Sequence, residues 1–548
     1  MKGLKLRIRI RRKYVYFSII LSLILYFTFS SKLGSYKNDI PNTIKTEKKE
    51  EDPMIINEDE KFQLDNKLVN LLLNDTIKIK NGNEKINSMV KKMILDMMEK
   101  PLAADDFEEL RKREEFHTTL WNMEFGQLNL KEDPTELTKY KRKLLEESSF
   151  LSQKHKNDLD GNKKTLSILH QSLYPWLYGY RYHSFSDIIS SSNGRGIVLC
   201  TGNHHFKYAR STIDIIRHIL NSELPIEVFY YGEADLSTRN REILKGYENV
   251  YLSDITTYFD NSIVDISSWA IKPFSILASR FEEVILMDAD ALYLRDPIEL
   301  FKERGYQEKG TLFFRDRTLF PGANAASKWL KSWMVNPLPE TQELRFWKER
   351  TEHEMDSSTV VIHKTKTILG LLNVCKLNER VIRQDVVYRK VYGDKETFWI
   401  GFDMARQPYY MSKKPCAFAG EIVDESSSSN SEDKKLCGHT AHTLENGKLI
   451  FWNGHLIKDK NIGMYANELI KFEAYTLEDN DKDWSINLAC LDLHENSKLN
   501  YFDEEELRVY NEIMKRENDQ HFVATEIKKR KKNRTSKVLN ENEKNEKK

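Results

Sequence analysis

Apolar and polar positions change their spacing along the chain, and each change predicts a different kind of element. Residues 14–31 carry no charged side chain and are rich in Phe, Ile, Leu and Tyr. At ~1.5 Å per residue such a run reaches ~26 Å, enough for one helix to cross a thin bilayer. Residues 32–65 are dominated by Lys, Glu, Asp and Asn, which predicts a flexible stalk. Between 66 and 190 the apolar residues return at helical spacing, as at Val69, Leu72 and Leu73, then Met89, Met93, Ile94 and Met97. The cluster Leu173-Tyr174-Pro175-Trp176-Leu177 is expected to pack against a core rather than to serve as a ligand platform. From Gly196 onward short β-branched runs alternate with helical ones. Residues 196–201 read as a buried strand, and a helix follows with Ile213, Ile215, Ile216, Ile219 and Leu220 on its apolar side. Pro225 breaks the chain before a second strand over 226–231, and a helix over 269–281 runs into a third strand.

That third strand carries the candidate chemistry. The run Val284-Ile-Leu-Met-Asp-Ala-Asp290 is apolar until it ends in Asp288 and Asp290. On an extended backbone residues i and i+2 project to one side, so the pair faces one point. Mg²⁺ and Mn²⁺ take one or two carboxylates together with phosphate oxygens of a bound substrate. A metal-held diphosphate is a leaving group, the arrangement a nucleotide-sugar glycosyltransferase needs. The alternative is a pair of solvated strand-end acids. Repeated βα units ahead of a strand-end acid pair argue for an α/β nucleotide-binding fold, whose ligands bind beyond the carboxyl ends of the strands.

Charge refines the picture at the ends. With 85 basic and 84 acidic residues there is no global field to attract nucleic acid. Seven Lys or Arg among the first 13 residues predict a cytosolic tail, a transmembrane signal anchor over 14–31 and a luminal remainder. A cleaved signal peptide is the alternative, although no clear small-x-small site follows the run. Residues 521–548, including the basic stretch 528–532, read as a charged, disordered tail. Five cysteines suit an oxidising compartment. Cys416 and Cys437 flank a Ser-rich loop, and closing that loop is the expected disulfide, with Cys375–Cys490 as a second pairing and Cys200 as a buried thiol. Asn74-Asp-Thr and Asn533-Arg-Thr are glycosylation sequons. The expected layout is a tail (1–13), an anchor (14–31), a stalk (32–65), a helical stem (66–190), a catalytic domain (191–475), an extension (476–520) and a tail (521–548).

Several ordered segments resemble one family: Gly196-Ile-Val-Leu-Cys-Thr-Gly202, Leu224-Pro-Ile-Glu-Val-Phe-Tyr230, Ile271-Lys-Pro-Phe-Ser-Ile-Leu-Ala-Ser279, Phe281-Glu-Glu-Val-Ile-Leu-Met-Asp-Ala-Asp290 and Thr311-Leu-Phe-Phe-Arg-Asp-Arg317. Glu354-Met-Asp-Ser-Ser-Thr-Val-Val-Ile-His363 and Tyr392-Gly-Asp-Lys-Glu-Thr-Phe-Trp399 complete the set. Together they resemble the fungal Golgi α-1,3-mannosyltransferases of glycosyltransferase family 71. The resemblance implies a GT-A type fold with a Rossmann-like central sheet. It also implies GDP-mannose as donor, Mn²⁺ (Mg²⁺ as the substitute) and retention of the α anomer. Acceptors would be terminal α-mannosides on N- or O-linked glycans of glycoproteins in the Golgi. An α-1,2-mannosyltransferase of the same family, initiating or extending mannan branches, is the alternative. A UDP-sugar enzyme and a catalytically idle scaffold or lectin stand further off. Nothing in the sequence indicates an oligomer.

On this reading Asp288 and Asp290 bridge the metal to the donor diphosphate. Thr201 and Gly202 contact the nucleotide or form a tight turn, and Lys272 pairs with the diphosphate or with a carboxylate such as Asp288. His442 and His455 are candidate third metal ligands, although the family pattern has glycine where His455 stands. Asp385, then Asp394 and Glu396, are the candidate acids for retention, the alternative being that Asp394, Lys395 and Glu396 form an ordinary solvated turn. Trp399 and Phe402 stack on sugar or pack in the core. Asp356-Ser-Ser-Thr359 departs from the Ser-Gly expected there.

Overall fold

A computed structural model describes residues 99–523, apart from 129–134, 160, 425–433, 459–468, 479–485, 488, 494–496 and 521. The predicted cytosolic tail, anchor and stalk, the stem as far as residue 98, both sequons and the basic stretch lie outside the described residues. Among the described residues no helix is long and apolar enough to cross a membrane.

Fourteen strands organise the described residues: β1 (Arg195–Cys200), β2 (Ile226–Tyr230), β3 (Val250–Asp254), β4 (Glu283–Met287), β5 (Ala291–Tyr293), β6 (Thr311–Arg315), β7 (Met355–His363), β8 (Ala417–Asp424), β9 (Lys434–Thr443), β10 (Leu449–Asn453), β11 (Ala474–Leu477), β12 (Ile486–Asn487), β13 (Cys490–Asp492) and β14 (Leu499–Tyr501). The first sheet has the order β3-β2-β1-β4-β7-β6. Its first four strands are parallel, and β7 runs antiparallel to both β4 and β6. Strands covered on both faces need unbroken apolar runs. Ile197, Val198 and Leu199 of β1 and Val284, Ile285, Leu286 and Met287 of β4 are fully buried. The βα alternation read from the sequence is therefore present, with the helix Phe206–His218 between β1 and β2 and the helix Ile271–Ala278 ahead of β4.

A second, antiparallel sheet runs β12-β13-β9-β8-β11-β14, with β10 joining β9 to β5. Since β11 starts at Ala474 and β13 and β14 follow it, this sheet crosses the boundary expected at residue 475. The helices Phe107–Phe125 and Gly161–Leu173 pack against the α/β core, within one compact unit, Asp65–Lys548. Arg111 pairs with Asp403 at 3.1 Å, and Trp176, itself fully buried, donates its indole N–H to Glu379 at 2.5 Å. The described part of the predicted stem thus belongs to the catalytic body.

The disulfide differs from the one expected. Cys437 bonds Cys490, while Cys416, Cys375 and Cys200 are free. The β8–β9 register places Cys437 opposite Glu421, so the hairpin does not bring it to Cys416. The β9–β13 register puts Cys437 directly across from Cys490. Cys375 is buried in the helix Ile368–Leu377 and is free. Closing a loop with a sequence separation of 53 restricts the unfolded chain, worth about 4 kcal/mol on the loop-entropy account. Cys437→Ser and Cys490→Ser are expected to lower the urea unfolding midpoint equally, with Cys416→Ala changing it little. A larger loss in Cys416→Ala would instead favour the loop-closing pair.

Candidate active site

The acid pair sits in the turn between β4 and β5. The Asp288 N–H donates to Ser358 O at 2.8 Å, and the Ala291 N–H returns to Asp288 O at 3.1 Å. The two aspartates therefore leave a tight turn, where the spacing argument assumed extended backbone. Asp290 is also held from the second sheet. The N–H groups of Gly454 and His455 donate to its carbonyl at 3.1 and 2.9 Å.

Beside this turn Thr201 and Gly202 follow the last residue of β1. A Cβ on Gly202 would lie 2.1 Å from Asp235 Oδ1, so the carboxylate of the turn after β2 packs directly against the Gly202 backbone. Thr201, Gly202, Lys272, Asp288 and Asp290 line one cavity of about 530 Å³, within the range of small-ligand sites. It lies at the carboxyl ends of β1 and β4. These are the strands between which the order of the sheet reverses, the place where doubly wound sheets bind ligands.

Lys272 is the cation of the site. It is buried on an otherwise largely apolar helix, and its Nζ is 2.7 Å from Asp288 Oδ1 and 4.0 Å from Asp394 Oδ2. It also donates to Ser357 O at 3.1 Å and to Ser357 Oγ at 3.3 Å. Burial alone would lower its pKa, but the carboxylates of Asp288 and Asp394 outweigh that and raise it. Asp288 is pushed up to about 6, first by burial, with Asp290 adding to the shift and Lys272 opposing it. Burial likewise raises Asp394, against the pull of Lys272. Asp394 stands at the N-cap of the helix Lys395–Met404, yet its side chain makes no cap hydrogen bond and Oδ2 has no hydrogen-bond partner. An aspartate at a helix start ordinarily accepts from the first turn; this one is directed to Lys272 instead.

The other candidate acids lie elsewhere. Asp385 is 58% exposed and pairs with Arg389 at 3.7 Å across one helical turn. It is not brought into the site, because the helical segment Arg383–Val387 turns it to the surface. Its neighbour Arg383 is the buried member of that motif. Glu396 is fully buried, accepting from Trp399 Nε1 at 2.5 Å and from the Glu354 N–H at 2.9 Å, so it ties a helix to β7. Burial pushes it up to about 7. Nor is 394–396 a solvated turn: Asp394 and Glu396 are buried, and the half-buried Lys395 pairs with Asp316 at 2.7 Å. Trp399 and Phe402 are fully buried and pack in the core.

The two histidines separate. His442 Nε2 is 2.9 Å from Asp356 Oδ2, with its ring between Phe314 and Phe451. His455 touches Asp290 through its backbone, its ring packs near Tyr208, and burial depresses its pKa to about 3. Its φ of 59° is one that glycine takes freely, which fits the glycine of the family pattern. Among the described residues no group of three or more His, Cys, Asp or Glu is arranged to hold a metal ion.

Sequence reasoning misses Ser357 and Asp356 as site residues. The departure at 356–359 is the available signal, and it marks where β7 passes under Lys272 and fixes His442. Trp269, which lines the same cavity, carries no local signal at all.

Comparison with known proteins bears out the resemblance. Residues 194–444 match the family model described as "Mannosyltransferase putative". "Putative alpha-1,3-mannosyltransferase MNN15" of Candida albicans is 26% identical over 53% of this chain and 45% of its own length. Alpha-1,3-mannosyltransferase MNT3 of Saccharomyces cerevisiae is 28% identical over 48% of this chain and 47% of its own. Alpha-1,3-mannosyltransferase MNN1 of the same yeast is 23% identical over 49% and 41%. The chain spans about half the length of the curated relatives it matches. Among solved structures, the S. cerevisiae mannosyltransferase Ktr4p aligns over 53% of this chain and 81% of its own at 12% identity, with a TM-score of 0.27. A score that low leaves the site to be judged on its own geometry.

Proposed function

We propose that this chain is a retaining α-1,3-mannosyltransferase of GT-A type that moves mannose from GDP-mannose to terminal α-mannosides. One observation carries the reading: Asp288, Asp290, Lys272 and Asp394 converge at the switch point of a doubly wound sheet, inside the segment matched by the mannosyltransferase model. Its relatives' names supply the linkage, and the resemblance supplies the donor.

The acid pair fits a hard divalent cation, Mn²⁺ or Mg²⁺. Two carboxylates share one turn, and the ionised form of Asp288 is disfavoured by burial and by Asp290 even with Lys272 beside it, a penalty that a cation relieves. Asp288 and Asp290 would hold it, with oxygens of the donor diphosphate completing the coordination. His442 is held by Asp356, and His455 meets Asp290 through its backbone N–H, so neither histidine is placed as a third ligand. When bound, the cation would offset the negative charge that builds on the departing GDP. Lys272 adds a second, pre-positioned positive charge on the same side. Asp394, buried and 4.0 Å from the Lys272 ammonium, is the one of the three candidate acids that adjoins the site, and would steady the positive charge there during same-face displacement assisted by the phosphate. Positioning and charge would supply most of the rate.

The Cys437–Cys490 bond supports an oxidising compartment. With residues 14–31 as anchor, the enzyme would be a single-pass type II protein of the Golgi membrane, its catalytic domain luminal and its acceptors mannosylated glycoproteins. The test is to incubate the purified protein with GDP-mannose, Mn²⁺ and α-linked mannobiose and to determine the product linkage. An α-1,3-linked mannose that disappears with chelator is expected. An α-1,2 product would overturn the linkage and leave the site reading intact. Absence of transfer would overturn the donor.

A further inference from the structure

Trp269 and Tyr392 are large apolar side chains left open to solvent, 43% and 62% exposed, and their rings touch at a centroid distance of 5.3 Å. They come from segments more than a hundred residues apart, and each adjoins a site residue. Trp269 lines the cavity and lies three residues before Lys272. Tyr392 lies two residues before Asp394. Trp269 shares the lining of the cavity with Thr201, Gly202 and Asp235, which follow β1 and β2, and Tyr392 extends the aromatic surface from Trp269 beyond that lining.

The chain holds this pair in place. Ser268 adopts a φ of 54°, a left-handed conformation that serine seldom takes, immediately before Trp269. Arg383 clamps the loop that carries them. Its guanidinium donates to the carbonyls of Val264 and Asp265 at 2.7 and 2.5 Å and to Ser267 Oγ at 3.1 Å. Gly393, at φ 65°, passes under the indole, where a Cβ would fall 2.8 Å from the Trp269 ring. The Lys395 Nζ, 5.4 Å from the Tyr392 ring centre, and His353, 5.9 Å away, border that ring on other sides. A buried arginine, a left-handed serine and an obligatory glycine thus hold an exposed indole and phenol that core packing does not require.

A pyranose offers C–H bonds on its face and hydroxyls round its edge. Such a ligand covers an aromatic face while its hydroxyls reach polar groups at the rim. A nucleoside diphosphate between β1 and the acid pair would take up the Thr201, Gly202 and Asp235 part of the lining, leaving the Trp269 part and the Tyr392 ring next to it for the second sugar. We infer that Trp269 and Tyr392 form the platform on which the acceptor mannoside is held, with Arg383 as a positioning residue for Trp269. This rests on the transferase reading above.

The test uses the full-length protein and its Trp269→Ala, Tyr392→Ala and Trp269→Phe variants. Acceptor KM and kcat are measured with α-mannobiose at saturating GDP-mannose, and mannobiose binding is followed separately by ligand-observed NMR without donor. Each alanine variant should raise acceptor KM roughly tenfold and lower kcat far less, as expected for lost aromatic contacts, and Trp269→Phe should recover most of the loss. Transfer by the wild type with acceptor KM unchanged in both alanine variants overturns the platform and leaves the transferase reading standing. A rise in GDP-mannose KM in place of acceptor KM also overturns it, giving Trp269 to the donor. Mannobiose binding that the wild type shows and Trp269→Ala loses, without transfer by either, upholds the platform and overturns the donor assignment. No saturable mannobiose binding to the wild type, with or without GDP, overturns the platform.

Discussion

Asparagine at position 288 or 290 is expected to cut mannose transfer by at least ~10³-fold, equivalent to ~4 kcal/mol of barrier, without unfolding the protein. The two substitutions keep side-chain shape and remove the charge that a cation needs. The stability half of the prediction follows from the direction of the Asp288 shift. Its pKa is raised to about 6 in the folded protein, so ionised Asp288 weakens the fold at neutral pH and gains nothing from folding there. A neutral isostere removes that penalty, while Lys272 keeps Asp394 as a partner 4.0 Å away. Asp288→Asn should therefore melt at the wild-type temperature or slightly above it. Adding Mn²⁺ should raise the melting temperature of the wild type and not of the variant. Activity within tenfold of wild type in either asparagine variant would remove the acid pair from the mechanism.

Lys272→Met is the opposite kind of change, with loss of both stability and activity. Its ammonium lies between Asp288 and Asp394, and its side chain is only 10% exposed. Removing one partner of a buried ion pair leaves charge without compensation, typically at a cost of about 3–5 kcal/mol. Methionine keeps most of the stem's packing, so the loss measures charge rather than a cavity. A second substitution separates the causes. Asp394→Asn in the Lys272→Met background should restore part of the stability, because one orphaned carboxylate is neutralised, but no activity. If the double variant is no more stable than Lys272→Met alone, the pairing of Lys272 with Asp394 contributes nothing to the fold.

The residues behind these two expectations differ in how plainly the chain's own pattern marks them. The strands that lead to Thr201 and Asp288 are legible because a sheet buried on both faces demands unbroken apolar runs, and the acid pair stands out where such a run stops. Lys272 is legible as an odd cation on an apolar helix, and the fold supplies its partner. Asp394 is one of three candidate acids, and nothing local distinguishes it from Asp385, to which the same kind of motif points first. The difference is made by the segment Arg383–Val387, which turns Asp385 to solvent and Arg383 inward. The disulfide fails for a similar reason. Proximity along the chain favours Cys416, whereas the register of β9 against β13 selects Cys490.

The sequence alone determined the periodicity, hence the α/β class of the core, the order of its first units and the position of the acid pair at a strand end. It also carried the family resemblance, because ordered motifs survive independently of their contacts. Tertiary structure decided the partners: Lys272 with Asp288 and Asp394, His442 with Asp356, Cys437 with Cys490, Trp269 with Tyr392. Periodicity is set by which face of one element meets the core, a property of neighbours in the chain. A pair between residues fifty or a hundred positions apart depends on strand register and on the path of the loops between. Those are settled only when all the elements pack together.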